Sequence, residues 1–281
     1  MKTTRINNIH TIARKSSILI ILFQAMFIFS CEKVITVDLS KTDPQIVIEG
    51  VVTDQPGTYS VMLSKTRSYF ESSASFQPVP NAFITVFDNL GNIDTLKETI
   101  SGTYVSSTLQ GIAGRTYTLK VDAEGKRYNA VSSMPRKVFI DSLYAVPKKF
   151  FGDKNGYDVY ILFKDPPEMG NYYRLIAQVN SMPMDSLTYG PTYFLHNDKL
   201  TNGNQIEEHI GIQKNVHPGD TLTVKLLSID KAAFDYYKTL IDIISMMPTS
   251  ISPANPNTNL SNGALGYFAA YTIDTKQIIL K

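Results

Sequence analysis

The chain of 281 residues has a single cysteine, no tryptophan and four histidines. One cysteine excludes an intrachain disulfide and a cysteine-built metal cluster, so burial must stabilise the fold. Without tryptophan, sixteen tyrosines and fourteen phenylalanines supply the aromatic part of the core. Gly-x-Ser-x-Gly, His-Glu-x-x-His and a phosphate-binding glycine loop are all absent. The commonest sequence-readable routes to acyl transfer, zinc hydrolysis and nucleotide chemistry are therefore missing. No excess of charge points to nucleic acid as a partner, since the formal net charge is only +2.

The N-terminus is the most asymmetric stretch. Lys2, Arg5, Arg14 and Lys15 precede an apolar run at 18–29, and no acid lies among them. The run is shorter than the ~18 or more residues of a spanning helix, and Ser30 then precedes Cys31, as in a signal peptide. This predicts a leader at 1–30, removed to leave a lipid-modified Cys31, and a short tether at 31–42. Losing the leader moves the formal charge from +2 to −2. Stable anchoring needs more than one acyl chain at about 0.8 kcal/mol per buried methylene, which a triacylated cysteine supplies. Eleven extended tether residues reach at most ~35–40 Å, so the folded body is expected close to its membrane. Glu32 after the cysteine favours the outer membrane, with the face undecided.

The remainder reads as mainly β. Short strands are predicted at 45–53, 59–65, 83–88, 93–98, 102–108, 116–122 and 126–132. Hairpin turns are expected at Asn89-Leu90-Gly91-Asn92 and Ala123-Glu124-Gly125. Seven strands at this spacing predict a β-sandwich domain at 43–135. Pro135 marks a boundary, and a second β-rich domain is predicted at 136–281. Its strands fall at 141–146, 157–164, 172–180, 205–212 and 221–228. Asp230 is a predicted N-cap for one amphipathic helix near 231–247, ended by Pro248. Ala233, Phe234, Tyr237, Leu240, Ile241 and Ile244 share the predicted packed face, with Lys231, Asp235, Lys238 and Asp242 opposite. Residues 252–268 then form a loop entering a final strand near Tyr267.

Two resemblances add to this reading. Pro80-Asn81-Ala82 before Ile84 and Val86, Gly102-x-Tyr104, Gly111 with Gly114, and Tyr117-x-Leu119-x-Val121 resemble the prealbumin-like sandwich of carboxypeptidase regulatory-like domains. That likeness implies a structural or binding module. The second rests on Pro-x-Asn-Pro-x-Thr-Asn at 253–259 and Asn-Gly-x-Leu-Gly-Tyr-Phe at 262–268. It extends to the Cys-Glu-Lys start, Ile46-Val47-Ile48-Glu49-Gly50-Val51, Phe163-x-Asp165-Pro166 and Tyr172-Tyr173-Arg174. These resemble an outer-membrane lipoprotein family of Bacteroidetes described only as a domain of unknown function. Such proteins are typically encoded beside a TonB-dependent receptor. The resemblance implies a non-enzymatic binding or gating subunit in nutrient capture or import. Two other readings stand beside it: a surface adhesion or scaffold protein and, ranked last, an envelope hydrolase. No cofactor or metal is expected, and the ligand is open.

Among residues that carry chemistry, His196, His209 and His217 read as isolated surface side chains, because no second histidine lies at ligand spacing. Asp153, Asn155 and Asp158 around Gly156 echo a calcium loop but lack a closing glutamate, so an ordinary turn is predicted. The candidate partner-binding loop comprises Asn255, Asn259, Asn262, Gly263, Gly266, Tyr267 and Phe268. Asn255, Asn257, Asn259 and Asn262 can instead serve structural turns through side-chain-to-backbone hydrogen bonds, and that reading ranks ahead of docking. Four Asp-Ser/Thr-Leu tripeptides resemble the acceptor pattern of a general O-glycosylation system of Bacteroidetes. They make Thr95, Ser142, Ser186 and Thr221 candidate modification sites.

Overall fold

The computed structural model describes residues 43–67, 76–107, 109–150, 154–183, 194–212, 216–245 and 255–281. The expected leader, Cys31 and the tether lie outside them, as do Ser186 and Pro248.

Among the described residues the fold is mainly β with one α-helix. The first half supplies β1 (Ile46–Thr53), β2 (Ser60–Lys65), β3 (Gln77–Pro78), β4 (Phe83–Asp88), β5 (Ile93–Ile100), β6 (Thr103–Val105), β7 (Thr116–Ala123) and β8 (Lys126–Ser133). The second supplies β9 (Ile140–Phe150), β10 (Lys154–Lys164), β11 (Tyr172–Val179), β12 (Met182–Pro183), β13 (Phe194–Asn197), β14 (Gln205–Ile212), β15 (Thr221–Ile229), helix α1 (Lys231–Ser245) and β16 (Leu265–Ile279).

The largest sheet runs β12-β11-β15-β16-β1-β2-β6-β5-β4-β7-β8, with β13 beside β11 and β3 beside β2. A separate sheet runs β14-β10-β9. Strand β16 joins the early and late strands. Its first half, Leu265 to Tyr271, pairs in parallel with Val47 to Thr53 of β1. Its second half, Thr272 to Ile279, pairs antiparallel with β15.

Three cores follow from the alternation of side chains along these strands. Ile48, Leu63, Ile84, Tyr104, Tyr117 and Leu119 pack in the first, which Phe268 of β16 completes. Val159, Ile161, Phe163, Tyr173, Leu222 and Val224 fill the second. The third lies beneath α1, where Ala233, Phe234, Tyr236 and Tyr237 meet Leu227, Ile229 and Ala269. Asp54 couples β16 to the first core's rim, accepting the Ile273 N–H at 2.9 Å while pairing with Lys137 at 2.6 Å. Burial pushes the Asp54 carboxyl up, but bonds from Lys137, Gln55 and Ile273 outweigh it and hold the group below its ordinary range.

Helix α1 begins as its sequence predicts, with Asp230 Oδ1 accepting the Ala233 N–H at 2.9 Å. Its outer face carries Lys231–Asp235 and Lys238–Asp242 pairs at 2.5 and 2.9 Å. The packed face differs from the expected one at two positions. Tyr236 is buried, and Ile244 is 47% exposed because the last turn runs past the sheet that its first turns cover. Two other expectations are corrected. Strand β6 starts after Gly102, whose φ of 74° places it in a turn. Residues Asn155, Gly156 and Asp158 belong to β10 and pair with β9, so their predicted turn does not exist; Asp153 lies outside the described residues. The last strand begins at Leu265, near Tyr267 as the sequence predicts, and runs to Ile279.

Candidate functional site

Strand β8 ends the large sheet, so one of its edges faces no strand. An open edge presents unpaired backbone groups and invites association. Here the 255–264 segment fills it with side chains. Asn262 Nδ2 donates to the Arg127 carbonyl at 2.5 Å. Ser261 gives its N–H to the Asn129 carbonyl at 2.9 Å, and its Oγ accepts the Asn129 N–H at 2.8 Å. Asn259 Nδ2 reaches the Val131 carbonyl at 3.1 Å. Asp230, the helix cap, accepts the Ser133 N–H at 3.1 Å and the Ser132 hydroxyl at 2.7 Å. The Arg127, Asn129 and Val131 carbonyls and the Asn129 and Ser133 N–H groups, on alternate residues of β8, are thus partnered.

The segment turns into β16 at Asn262 and Gly263, with φ of 55° and 73°, values that favour asparagine and glycine. Gly266, at φ 92°, passes so close to Ile48 that any Cβ would collide with its backbone. Phe268 is fully buried in the first core, and Tyr267 lies under α1 with its ring 4.6 Å from that of Tyr236. Of the seven candidate loop residues, Asn255, Asn262 and Gly263 face solvent and Asn259 is half-buried. Within this group the structure brings Asn259 and Asn262 to the β8 edge, where the Asn259 amide and Asn262 Nδ2 bond to backbone.

Around α1, the Arg174 guanidinium sits 3.9 Å from the Tyr237 ring centre. Burial pushes the Tyr237 hydroxyl far up, and those of Tyr236 and Tyr271 up to about 12. These tyrosine hydroxyls therefore stay protonated at physiological pH beside the Arg174 cation.

The histidines are not all isolated. His196 is half-buried on β13, with Nδ1 at 2.7 Å from Glu208 and Nε2 at 2.9 Å from the Thr201 hydroxyl. Hydroxyl, imidazole and carboxylate stand in the order of a nucleophile relay. Here they tie β13, of the large sheet, to β14, of the small one. The same end is fastened by Asp165, which accepts from the Tyr173 hydroxyl at 2.5 Å and from the Gly203 N–H at 2.8 Å. Asp198 accepts from the Gly170 and Asn171 N–H groups at 2.7 and 2.9 Å. His217 is exposed, as its sequence context predicts.

His209 belongs to an arrangement that sequence reasoning missed. The inner face of the β14-β10-β9 sheet packs on the second core, while its outer face meets solvent. Register puts Tyr144, Tyr160 and His209 in one row across the three strands. Tyr144 and Tyr160 stack at 4.9 Å with 12° between planes, and His209 follows at 5.0 Å. Asp158 adjoins the row, bonded to His209 at 2.9 Å and paired with Lys148 at 2.9 Å. Burial raises the Asp158 carboxyl, but these two partners more than compensate and hold it low. Tyr144 is 41% and Val146 47% exposed. The result is a solvent-facing aromatic strip flanked by charge. Alternation of Tyr144 and Val146 with Leu143 and Ala145 marks an outer face in sequence; the cross-strand row depends on register.

Candidate modification sites fall on strands. Thr95 is exposed on β5, Ser142 is half-buried on β9, and Thr221 is half-buried where β15 starts. The preceding aspartates shape turns: Asp94 accepts the Ser107 and Leu109 N–H groups, and Asp220 accepts that of His217. Among the described residues, no cluster of three or more His, Cys, Asp or Glu converges, and no helix is long and apolar enough to cross a membrane.

Comparison with known proteins adds the following. A two fibronectin type-III domain segment of chicken tenascin aligns at 15% identity over 66% of this chain and 91% of that one, with a TM-score of 0.21. The Yersinia pseudotuberculosis adhesin InvE aligns at 17% identity over 65% of this chain and 55% of that one, with a TM-score of 0.21. No curated protein matches. One family profile, described as a domain of unknown function (DUF4249), matches residues 32–277, nearly the whole of the described body. The chain belongs to the DUF4249 family.

Proposed function

We propose that this protein is a lipid-anchored outer-membrane binding subunit that works with a TonB-dependent receptor in nutrient capture or import. The observation that carries a binding role is the solvent-facing Tyr144–Tyr160–His209 strip on the small sheet. Tyrosine is among the residues enriched at binding hot spots. The anchor rests on the leader and Cys31, and the receptor partner on the family resemblance. The role in this reading is non-enzymatic.

The test is recovery of the tagged protein from native membranes. A β-barrel receptor should accompany it, and Cys31→Ala should shift the protein out of the membrane fraction or leave it as precursor. Recovery without such a receptor would favour the surface adhesion or scaffold reading instead. We further propose glycosylation on at least one of Thr95, Ser142, Ser186 and Thr221. Intact mass of native protein equal to polypeptide plus lipid would reject it.

A further inference from the structure

At the pole of the first sandwich, beside the β4–β5 turn, lies a cleft of about 450 Å³ lined by Asn92, Ile93, Leu109, Gln110, Ile112 and Arg115. Its volume is within the range of small-molecule sites, about 300–1,000 Å³. Ile93 and Ile112, which both line the cleft, are 65% and 44% exposed and give it an apolar part.

Arg115 provides the polar element. Its Nη1 is held at 2.5 Å by Asp88, a buried carboxylate. Asp88 is itself fixed by the Leu90 and Asn92 N–H groups and by Asn92 Nδ2, at 3.0, 2.9 and 2.8 Å. Three neutral donors thus share the solvation of Asp88, and Arg115 is not its sole counterpart. The pairing through Nη1 leaves the Nε–Nη2 edge of the guanidinium without a protein partner among the described residues. That edge is a planar two-donor fork suited to a carboxylate. Gln110 adds an exposed amide that bonds to nothing else among the described residues.

We propose that this cleft binds small aliphatic carboxylates, with the carboxylate on the free edge of Arg115 and the chain between Ile93 and Ile112. A peptide's C-terminal residue with a branched side chain has this chemistry, whether it comes from a free peptide or a protein tail. The inference uses nothing from the receptor reading and stands or falls apart from it.

The experiment follows isoleucine methyl resonances during titration with N-acetyl-leucine and, separately, N-acetyl-leucinamide. The Ile93 and Ile112 signals are assigned by Ile93→Val and Ile112→Val. The acid should shift both saturably, with a dissociation constant on the order of 1 mM. The amide should bind about tenfold more weakly or not at all. Arg115→Lys keeps a cation beside Asp88 but removes the fork, and should weaken the acid by about tenfold. Gln110→Ala, at an exposed position, should weaken it severalfold while leaving the fold intact. Equal binding of acid and amide by the unaltered protein, or no saturable shift at either methyl, overturns the proposal without reference to any variant.

Discussion

Asn259 grips Phe268 by both backbone groups: its Oδ1 accepts the Phe268 N–H at 3.1 Å, and its Nδ2 donates to the Phe268 carbonyl at 2.8 Å. The same Nδ2 reaches Val131 of β8 at 3.1 Å. One side chain thus stands in for a strand between β16 and the end of the large sheet. Asn259→Ala should cost about 2–3 kcal/mol, since it leaves backbone groups of a fully buried residue unpaired. Urea denaturation measures this. The folded fraction should still co-purify with the partner; intact stability with lost co-purification would make Asn259 a docking residue instead.

Phe234 lies 7% exposed, its ring 5.0 Å from that of Tyr172 on β11. Truncation to alanine empties space between α1 and the sheet. The expected loss is about 3–5 kcal/mol by equilibrium unfolding. A change within about 0.5 kcal/mol would mean that α1 does not depend on this contact.

Asp88 makes the β4–β5 turn sensitive to acid. Burial raises its carboxyl, but bonds from Asn92, Arg115 and Leu90 overcome this and lower it to about 2. A depressed carboxylate contributes stability that is fully present above its unfolded value, near 4, and is lost as pH falls through about 2. Asp88→Asn should therefore be less stable than the parent at pH 7, and the difference should shrink as pH falls from about 4 to 2. Denaturation midpoints across that range, compared between the two proteins, check the sign.

Much of the scaffold was legible because its strands alternate cleanly. Strands β4 and β14 begin and end where the residue pattern places them, and Asp230 caps α1 as expected. The length of β16 was not legible. Phe268, Ala269 and Ala270 are all buried, since the first core covers one face and α1 the other, and this erases the period of two. The extra residues of β10 were hidden for a different reason: Asn155-Gly156 reads as a turn, yet pairing with Lys149 and Lys148 of β9 holds it extended. The edge-filling role had a faint signal in the spacing of Asn259 and Ser261 opposite Val131 and Asn129, which the turn at Asn262 then breaks. His196 and Glu208 meet only through the packing of β13 on β14, twelve residues apart in sequence, and no local pattern announces that.

The central claim is that the Tyr144–Tyr160–His209 face binds a receptor at the membrane to which Cys31 anchors the protein. The most direct measurement is quantitative affinity purification from native membranes of the parent and of a Tyr144→Ala, Tyr160→Ala variant. Both residues lie on the solvent side of their sheet, so the variant should fold and fractionate with the membrane as the parent does. The account predicts a β-barrel receptor recovered with the parent and reduced at least about tenfold with the variant. Equal recovery of the receptor by both proteins, or its absence from the parent sample, would contradict the account.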